Sequence, residues 1–283
     1  GEATAQLEAG ADVLDVNVGL PELDEPVVLA QVVEAVQEVA GAPLQLDTAD
    51  PHALEKALRA YVGKPIINSV SGKRHVMDAV FPLVRRYGGA LVCLLLDEDG
   101  IPPTADGRLA IARRIIAEAE RYGVPKRDLL FDALTLTVAT DPSAARVTLE
   151  TVRRLTDELR VKTVLGVSNV SFGLPHRAAV TAPFLSMALY AGLSAAIINP
   201  MDDAVRAAME GSCATLGLDE GFAHYLARYA GPDAPAAGGP TPAAPVGEKA
   251  AASGIDASAQ AARDALQLAG EAIQKAQAAL GVV

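Results

Sequence analysis

Tryptophan is missing from all 283 residues, and aromatic side chains of every kind amount to 4%. With 51% of the chain apolar, the core has to be aliphatic, which suits a parallel sheet buried under helices. Cysteine is scarce: Cys93 and Cys213 are too few for a disulfide framework. Cys93 sits inside an apolar run and reads as a core residue. Basic residues are outnumbered, 24 against 35 acidic, giving a formal charge of −11 and no basic surface for nucleic acid. The acidic excess reads as a solvated surface that keeps the protein dispersed. No apolar run is long enough to span a bilayer, and the first residues lack the form of a signal peptide, so the expected location is cytoplasmic.

What is present is a repeated pattern. Short apolar runs end on polar residues at Asp15 and Asn17, Asp47 and Thr48, Asn68 and Ser69, Asp97 and Glu98, Asp132, Ser168 and Asn169, and Asn199. The runs predict strands near 11–18, 43–48, 65–70, 90–97, 129–135, 162–169 and 195–199. The intervening stretches predict helices, including 26–40, 53–61, 105–122, 143–159, 178–191 and 203–216. Asp50-Pro51 and Asp141-Pro142 have the form of an N-cap followed by proline in the first turn. Strict alternation of strand and helix implies βαβ units and a parallel sheet. An open doubly wound sheet gathers its ligand groups at one switch point, whereas here every strand end is polar. A closed TIM (β/α)8 barrel, whose strand ends share one mouth, is therefore expected. Seven strands are found where eight are needed. Residues 1–9 read as the last turns of a helix ended by Gly10, so the expectation is a barrel fragment lacking its first strand. The barrel is expected over 1–217, followed by an extension and Gly/Pro/Ala-rich linker over 218–254 and a weakly apolar helix within 255–283.

The mouth would gather Asp15, Asp47, Asp97, Glu98 and Asp132 with Asn17, Asn68, Asn169 and Asn199 and the hydroxyls of Thr48, Ser69 and Ser168. Carboxylates and amides pair in two hydrogen bonds with the N–C–N edge of a flat heterocycle such as a pterin. Asp50 and Asp141 read only as helix caps, whereas Asp47, Asn68, Asp132 and Asn169 are placed in the strands. A Schiff-base site needs a lysine at a strand's C-terminal end, but Lys64 and Lys162 begin strands and Lys73 lies in a loop. The histidines, His52, His75, His176 and His224, all fall outside the strands, so no metal centre is expected. The glycines of 166–173 are too widely spaced for a phosphate nest.

The segment Gly166-Val-Ser-Asn-Val-Ser-Phe-Gly173, followed by Leu-Pro-His-Arg177, resembles the pterin-binding barrel shared by cobalamin-dependent methionine synthases and methyltetrahydrofolate:corrinoid methyltransferases. Leu14-Asp-Val-Asn-Val-Gly19, Leu46-Asp-Thr48, Ile67-Asn-Ser-Val-Ser-Gly72 and Phe131-Asp132 agree with it, in order, across residues 1–216. The resemblance implies a TIM barrel in which Asp47, Asn68 and Asp132 hold the pterin ring. Asn169 would lie near N5 and help to activate the methyl group. Asp15, Asn17, Ser168, Arg177 and Asn199 would line the same pocket. The implied substrate is methyltetrahydrofolate. The implied partner is a cobalamin (corrinoid) carried by another domain or protein, since the Asp-x-His-x-x-Gly pattern of such carriers is absent here. A homodimer is compatible with the resemblance; no nucleic acid and no membrane partner is implied. The family's Gly-Glu-Arg-like first-strand segment is not found. Phe172, where some corrinoid methyltransferases have Gln, and the Asp97-Glu98 pair both favour the methionine-synthase branch. Dihydropteroate synthase shares the barrel, but its Gly-Gly-Glu-Ser-Thr and Ser-Arg-Lys-like segments are replaced by Asn17-Val-Gly19 and Ser168-Asn-Val-Ser171. A folate-binding module without catalysis is the other alternative.

Overall fold

A computed structural model describes residues 1–20 and 22–230. Residues 231–254 of the predicted extension and linker, and the helix expected within 255–283, lie outside the described residues. Residues Gly1–Arg228 form one compact unit. In chain order its elements are α1 (Glu2–Glu8), β1 (Leu14–Asn17), α2 (Glu25–Val39), β2 (Leu44–Asp47), α3 (Pro51–Ala60), β3 (Ile66–Ser71), α4 (Arg74–Tyr87) and β4 (Ala90–Leu94). They continue with α5 (Ala105–Arg121), β5 (Leu129–Asp132), α6 (Ala144–Leu159), β6 (Lys162–Gly166), α7 (Ala178–Tyr190), β7 (Ala195–Ile197), α8 (Asp203–Thr215) and α9 (Ala223–Tyr229).

Local signals set these boundaries. Gly10, at φ 99°, takes the left-handed conformation that ends α1 and turns the chain toward β1. Asp50 accepts the His52 N–H at 2.8 Å, with Pro51 in the first turn of α3. Asp141 accepts both the N–H and the hydroxyl of Ser143, one residue before α6 begins, so it shapes the turn into the helix instead of capping it directly. Several strands end earlier than the apolar runs suggested. Asp97, Glu98, Ser168, Asn169 and Asn199 consequently lie in the connections, and Asn169 sits in a 3-10 turn over Val167–Ser171.

Seven strands among the described residues pair in sequence order, all parallel, into a nearly closed barrel. Among the described residues β1 and β7 are the edges. One row of the register runs Val16, Leu46, Ile67, Leu91 and Leu129, and these side chains, with Leu14, Leu44 and Phe131, join a core with Leu29, Leu54, Phe81 and Leu109 from the surrounding helices. That face is aliphatic and close-packed, as a helix-covered parallel sheet requires. Side chains alternate along a strand, so the next residue of each pair points to the concave face. There the register aligns Asp15 with Gln45, and Asn17 with Asp47 and Asn68. It shifts between Asn68 and Val70, where the Asn68–Ser69 peptide is cis.

Phe131 is fully buried one residue before Asp132. Phe131→Ala is expected to destabilise the barrel by about 3–5 kcal/mol, read as a lower urea midpoint at unchanged slope. A loss below about 1 kcal/mol would show that this face is not close-packed.

Candidate functional site

Direct bonds join the polar residues of β1, β2 and β3. Gln45 Nε2 donates to Asp15 Oδ1 at 2.8 Å, and Asn17 Nδ2 donates to Asp47 Oδ2 at 3.0 Å. Asn17 Oδ1 in turn accepts the Gly19 N–H at 3.0 Å, which fixes the amide's orientation. Asn68 completes the row, and its carbonyl accepts the Thr48 N–H at 3.0 Å. Thr48, buried, donates its hydroxyl to Glu25 at the start of α2. Asp132 ends β5 and accepts the Leu134 N–H at 2.8 Å.

The turn after β6 carries the remaining groups. A Cβ added to Gly166 would meet Asn169 Nδ2 at 3.1 Å, so the Asn169 amide folds back against the bare end of β6. Arg177 donates from Nε to Ser171 Oγ at 3.1 Å and from Nη2 to the Ser168 carbonyl at 2.6 Å. Its guanidinium also lies 5.8 Å from the centre of the exposed Phe172 ring. Arg177 thus braces the segment that presents Ser168 and Asn169. The connections after β5 and β6 are pinned together, Thr137 Oγ1 donating to the Phe172 carbonyl at 2.6 Å and Val138 N–H to the Val170 carbonyl at 3.0 Å.

Other predicted residues are engaged elsewhere. Asn199 accepts the Met201 N–H at 3.0 Å in a turn after β7. Asp97 bonds Arg114 at 3.2 Å, and Glu98 accepts the Arg74 N–H at 2.6 Å at the start of α4. Asp97 lines a cavity of about 480 Å³ with Ile101, Pro102, Ile111 and Arg114, which none of the other predicted mouth residues touch. Sequence reading missed Gln45, which is buried, shares the parity of Asp47 and stands out as a polar residue between Leu44 and Leu46. It also missed Glu25, and Arg108, buried inside α5 with nothing in its local sequence to set it apart.

Three carboxyls on the concave face hold their protons more tightly than usual. Burial raises Asp15, against the Gln45 hydrogen bond, and the nearby Asp47 charge adds to the rise. Asp15 is exposed at the edge strand by surface area, yet its carboxyl is crowded enough by the sheet for desolvation to dominate. Burial likewise raises Asp47, opposed by Asn17 and reinforced by the negative charge of Glu25. Asp132 is pushed up to about 6 by burial, with the Leu134 N–H and Arg108 pulling the other way. Among the described residues no group of three or more His, Cys, Asp or Glu is placed to hold a metal ion. None of the described helices is long and apolar enough to cross a membrane.

A parallel barrel with carboxylates and amides gathered at the C-terminal ends of its strands defines a (β/α)-barrel protein, the end at which such barrels bind their ligands being polar here. A sequence model of the family described as pterin binding enzyme matches residues 1–199, and the chain belongs to that family. It is 29% identical over 223 residues to a methylcorrinoid:tetrahydrofolate methyltransferase of Eubacterium limosum, covering 77% of this chain and 81% of that protein. It is 31% identical over 210 residues to a methionine synthase of Mycobacterium tuberculosis, covering 70% of this chain but only 18% of that much longer protein. Among solved structures, a Yersinia pestis dihydropteroate synthase in complex with a sulfonamide drug superposes with a TM-score of 0.64 at 16% identity, over 77% of this chain and 84% of that one. A Thermus thermophilus dihydropteroate synthase gives 0.60 at 23% identity, over 77% and 87%. Both structural matches establish the shared barrel.

The raised Asp132 has a consequence for stability. Between about pH 4 and 6 the folded protein keeps a proton there that the unfolded chain has released. That group's contribution therefore falls as pH rises through this window. Asp132→Asn, which keeps the shape and the acceptor for Leu134, is expected to gain on the wild type by on the order of 1–2 kcal/mol more at pH 8 than at pH 4. Urea unfolding at the two pH values checks this, and a difference that does not change with pH would contradict it.

Proposed function

We propose that this barrel transfers the N5-methyl group of methyltetrahydrofolate to the cobalt of a corrinoid, a second substrate carried by another domain or protein. The observation that carries the reading is the row Asn17, Asp47 and Asn68 on the concave face, joined by Asp132 and by an Asn169 amide held against the end of β6. Similarity to a methylcorrinoid:tetrahydrofolate methyltransferase along most of that protein's length supports methyl transfer over other pterin chemistry. The likeness to dihydropteroate synthases extends to the fold.

In this reading Asp47, Asn68 and Asp132 bind the pterin ring. An ionised carboxylate accepts two hydrogen bonds from the ring's N–C–N edge, and the amide pairs with adjoining donors and acceptors. Asp15, Asn17, Ser168 and Arg177 border the pocket, with Arg177 acting through the turn it braces. N5 of methyltetrahydrofolate is a tertiary amine and a poor leaving group. As the N5–CH3 bond breaks, its electron pair stays on nitrogen, the methyl bonds to cobalt and N5 takes up a proton. Asn169 can accept a hydrogen bond from N5–H through its amide oxygen and so stabilise the positive charge that makes N5 leave. A neutral amide does this at any pH near 7, because it does not titrate.

Asn169→Ala is expected to lower single-turnover methyl transfer to cob(I)alamin by about 100-fold or more, with methyltetrahydrofolate affinity changed by less than about fivefold. Absorbance of the corrinoid and calorimetric binding measure the two quantities. Equal losses in both would remove Asn169 from the chemistry. Condensation of p-aminobenzoate with a pterin diphosphate, in place of methyl transfer, would replace the reading with a synthase.

A further inference from the structure

Arg108 is the largest of the fully buried side chains, 1% exposed, and its setting is unusual. Nε donates to the Pro102 carbonyl at 3.0 Å; Nη1 donates to the Ala133 carbonyl at 2.5 Å, the Leu134 carbonyl at 3.2 Å and Thr148 Oγ1 at 3.4 Å. All four acceptors are uncharged. A guanidinium buried among carbonyls keeps its full charge without a carboxylate bonded to it, at a desolvation cost of several kcal/mol. Core filling alone would be met more cheaply by an aliphatic residue.

Its contacts converge on one place. Ala133 and Leu134 directly follow Asp132, and Leu134 stands at φ 62°, a left-handed conformation that a branched side chain rarely adopts. Holding the two carbonyls on the guanidinium keeps the Leu134 N–H on the Asp132 carboxylate at 2.8 Å. The neighbours that the adjacent strands and α6 bring to Asp132 are neutral. β4 and β6 place Leu94 and Val164 beside it in register, and α6 contributes Thr148, which donates to the Leu134 carbonyl at 3.1 Å. The charged group that acts on Asp132 is Arg108, in the direction that opposes its burial.

We propose that Arg108 is a positioning residue for Asp132: it fixes the turn that donates to the carboxylate and brings a positive charge to act on it. Because it also holds Pro102, the same side chain ties the connection after β4 to the connection after β5. The consequence for binding rests on the reading of Asp132 as a ring-binding group; the effect on the carboxyl itself does not.

The test separates the two. The Asp132 side-chain carboxyl is followed by ¹³C NMR in the ligand-free protein, its resonance assigned by loss in Asp132→Asn, in wild type, Arg108→Gln and Arg108→Lys. Arg108→Gln is expected to raise the Asp132 titration midpoint by about one pH unit or more, and Arg108→Lys, which keeps the charge, by less than about half a unit. Methyltetrahydrofolate affinity in Arg108→Gln should drop about twofold at pH 7 and about fivefold at pH 6, and recover toward pH 9. A midpoint unmoved by Arg108→Gln overturns the proposal, as does a loss of affinity in that variant that is equal at every pH. If Arg108→Gln does not fold, Arg108→Lys decides: a retained midpoint supports the proposal and a rise of one unit overturns it. Should the midpoints behave as expected while even the wild type fails to bind the folate, the functional reading falls and the role of Arg108 stands.

Discussion

The structure depends on parallel pairing that keeps side-chain parity from one strand to the next. One residue of slip in β1 or β2 would send Asp15, Asn17 and Asp47 into the helix-facing core and bring Leu14, Val16 and Leu46 to the mouth. Neither arrangement could persist, because the first buries unpaired carboxylates and the second strips the core of its aliphatic surface. The packing energy of the outer face therefore guards the register of the inner one. Tertiary hydrophobicity holds the site residues in place without touching them.

The concave face in turn pays an electrostatic penalty. Asp15, Asp47 and Asp132 all hold their protons more tightly than free carboxyls because of burial, and Asp15 and Asp47 also repel one another. Neutral partners offset part of this penalty: Gln45 on Asp15, Asn17 on Asp47 and the Leu134 N–H on Asp132. Acceptors supported by amides rather than by salt bridges remain able to receive donors from a ligand. A flat ring bearing N–H groups suits such a surface better than an anion does.

Much of this was legible in the sequence because β-structure and helix leave different periods. The apolar runs, the Asp50-Pro51 start and Gly10 each have a local physical cause, and the barrel followed from their alternation. Strand ends were read too long where a polar residue follows an apolar one in a turn, as at Asn169, because a 3-10 turn leaves no periodic mark. Asp97 and Glu98 looked like further mouth groups, yet the bonds to Arg114 and to the start of α4 depend on residues far along the chain. Gln45 could have been found from its parity with Asp47. Arg108 could not, because a charged residue in an amphipathic helix normally reads as solvent-facing, and only the packing of α5 against the connections reveals that it is enclosed.

The lengths of β1 and β7 matter beyond the site. A sheet edge is a template on which another chain can add a strand, and its reach scales with the number of unpaired backbone groups in line. Among the described residues, four residues in β1 and three in β7 leave only a few such groups on each edge. The same brevity that brings the polar ends close to the mouth makes these margins poor seeds for edge-to-edge polymerisation.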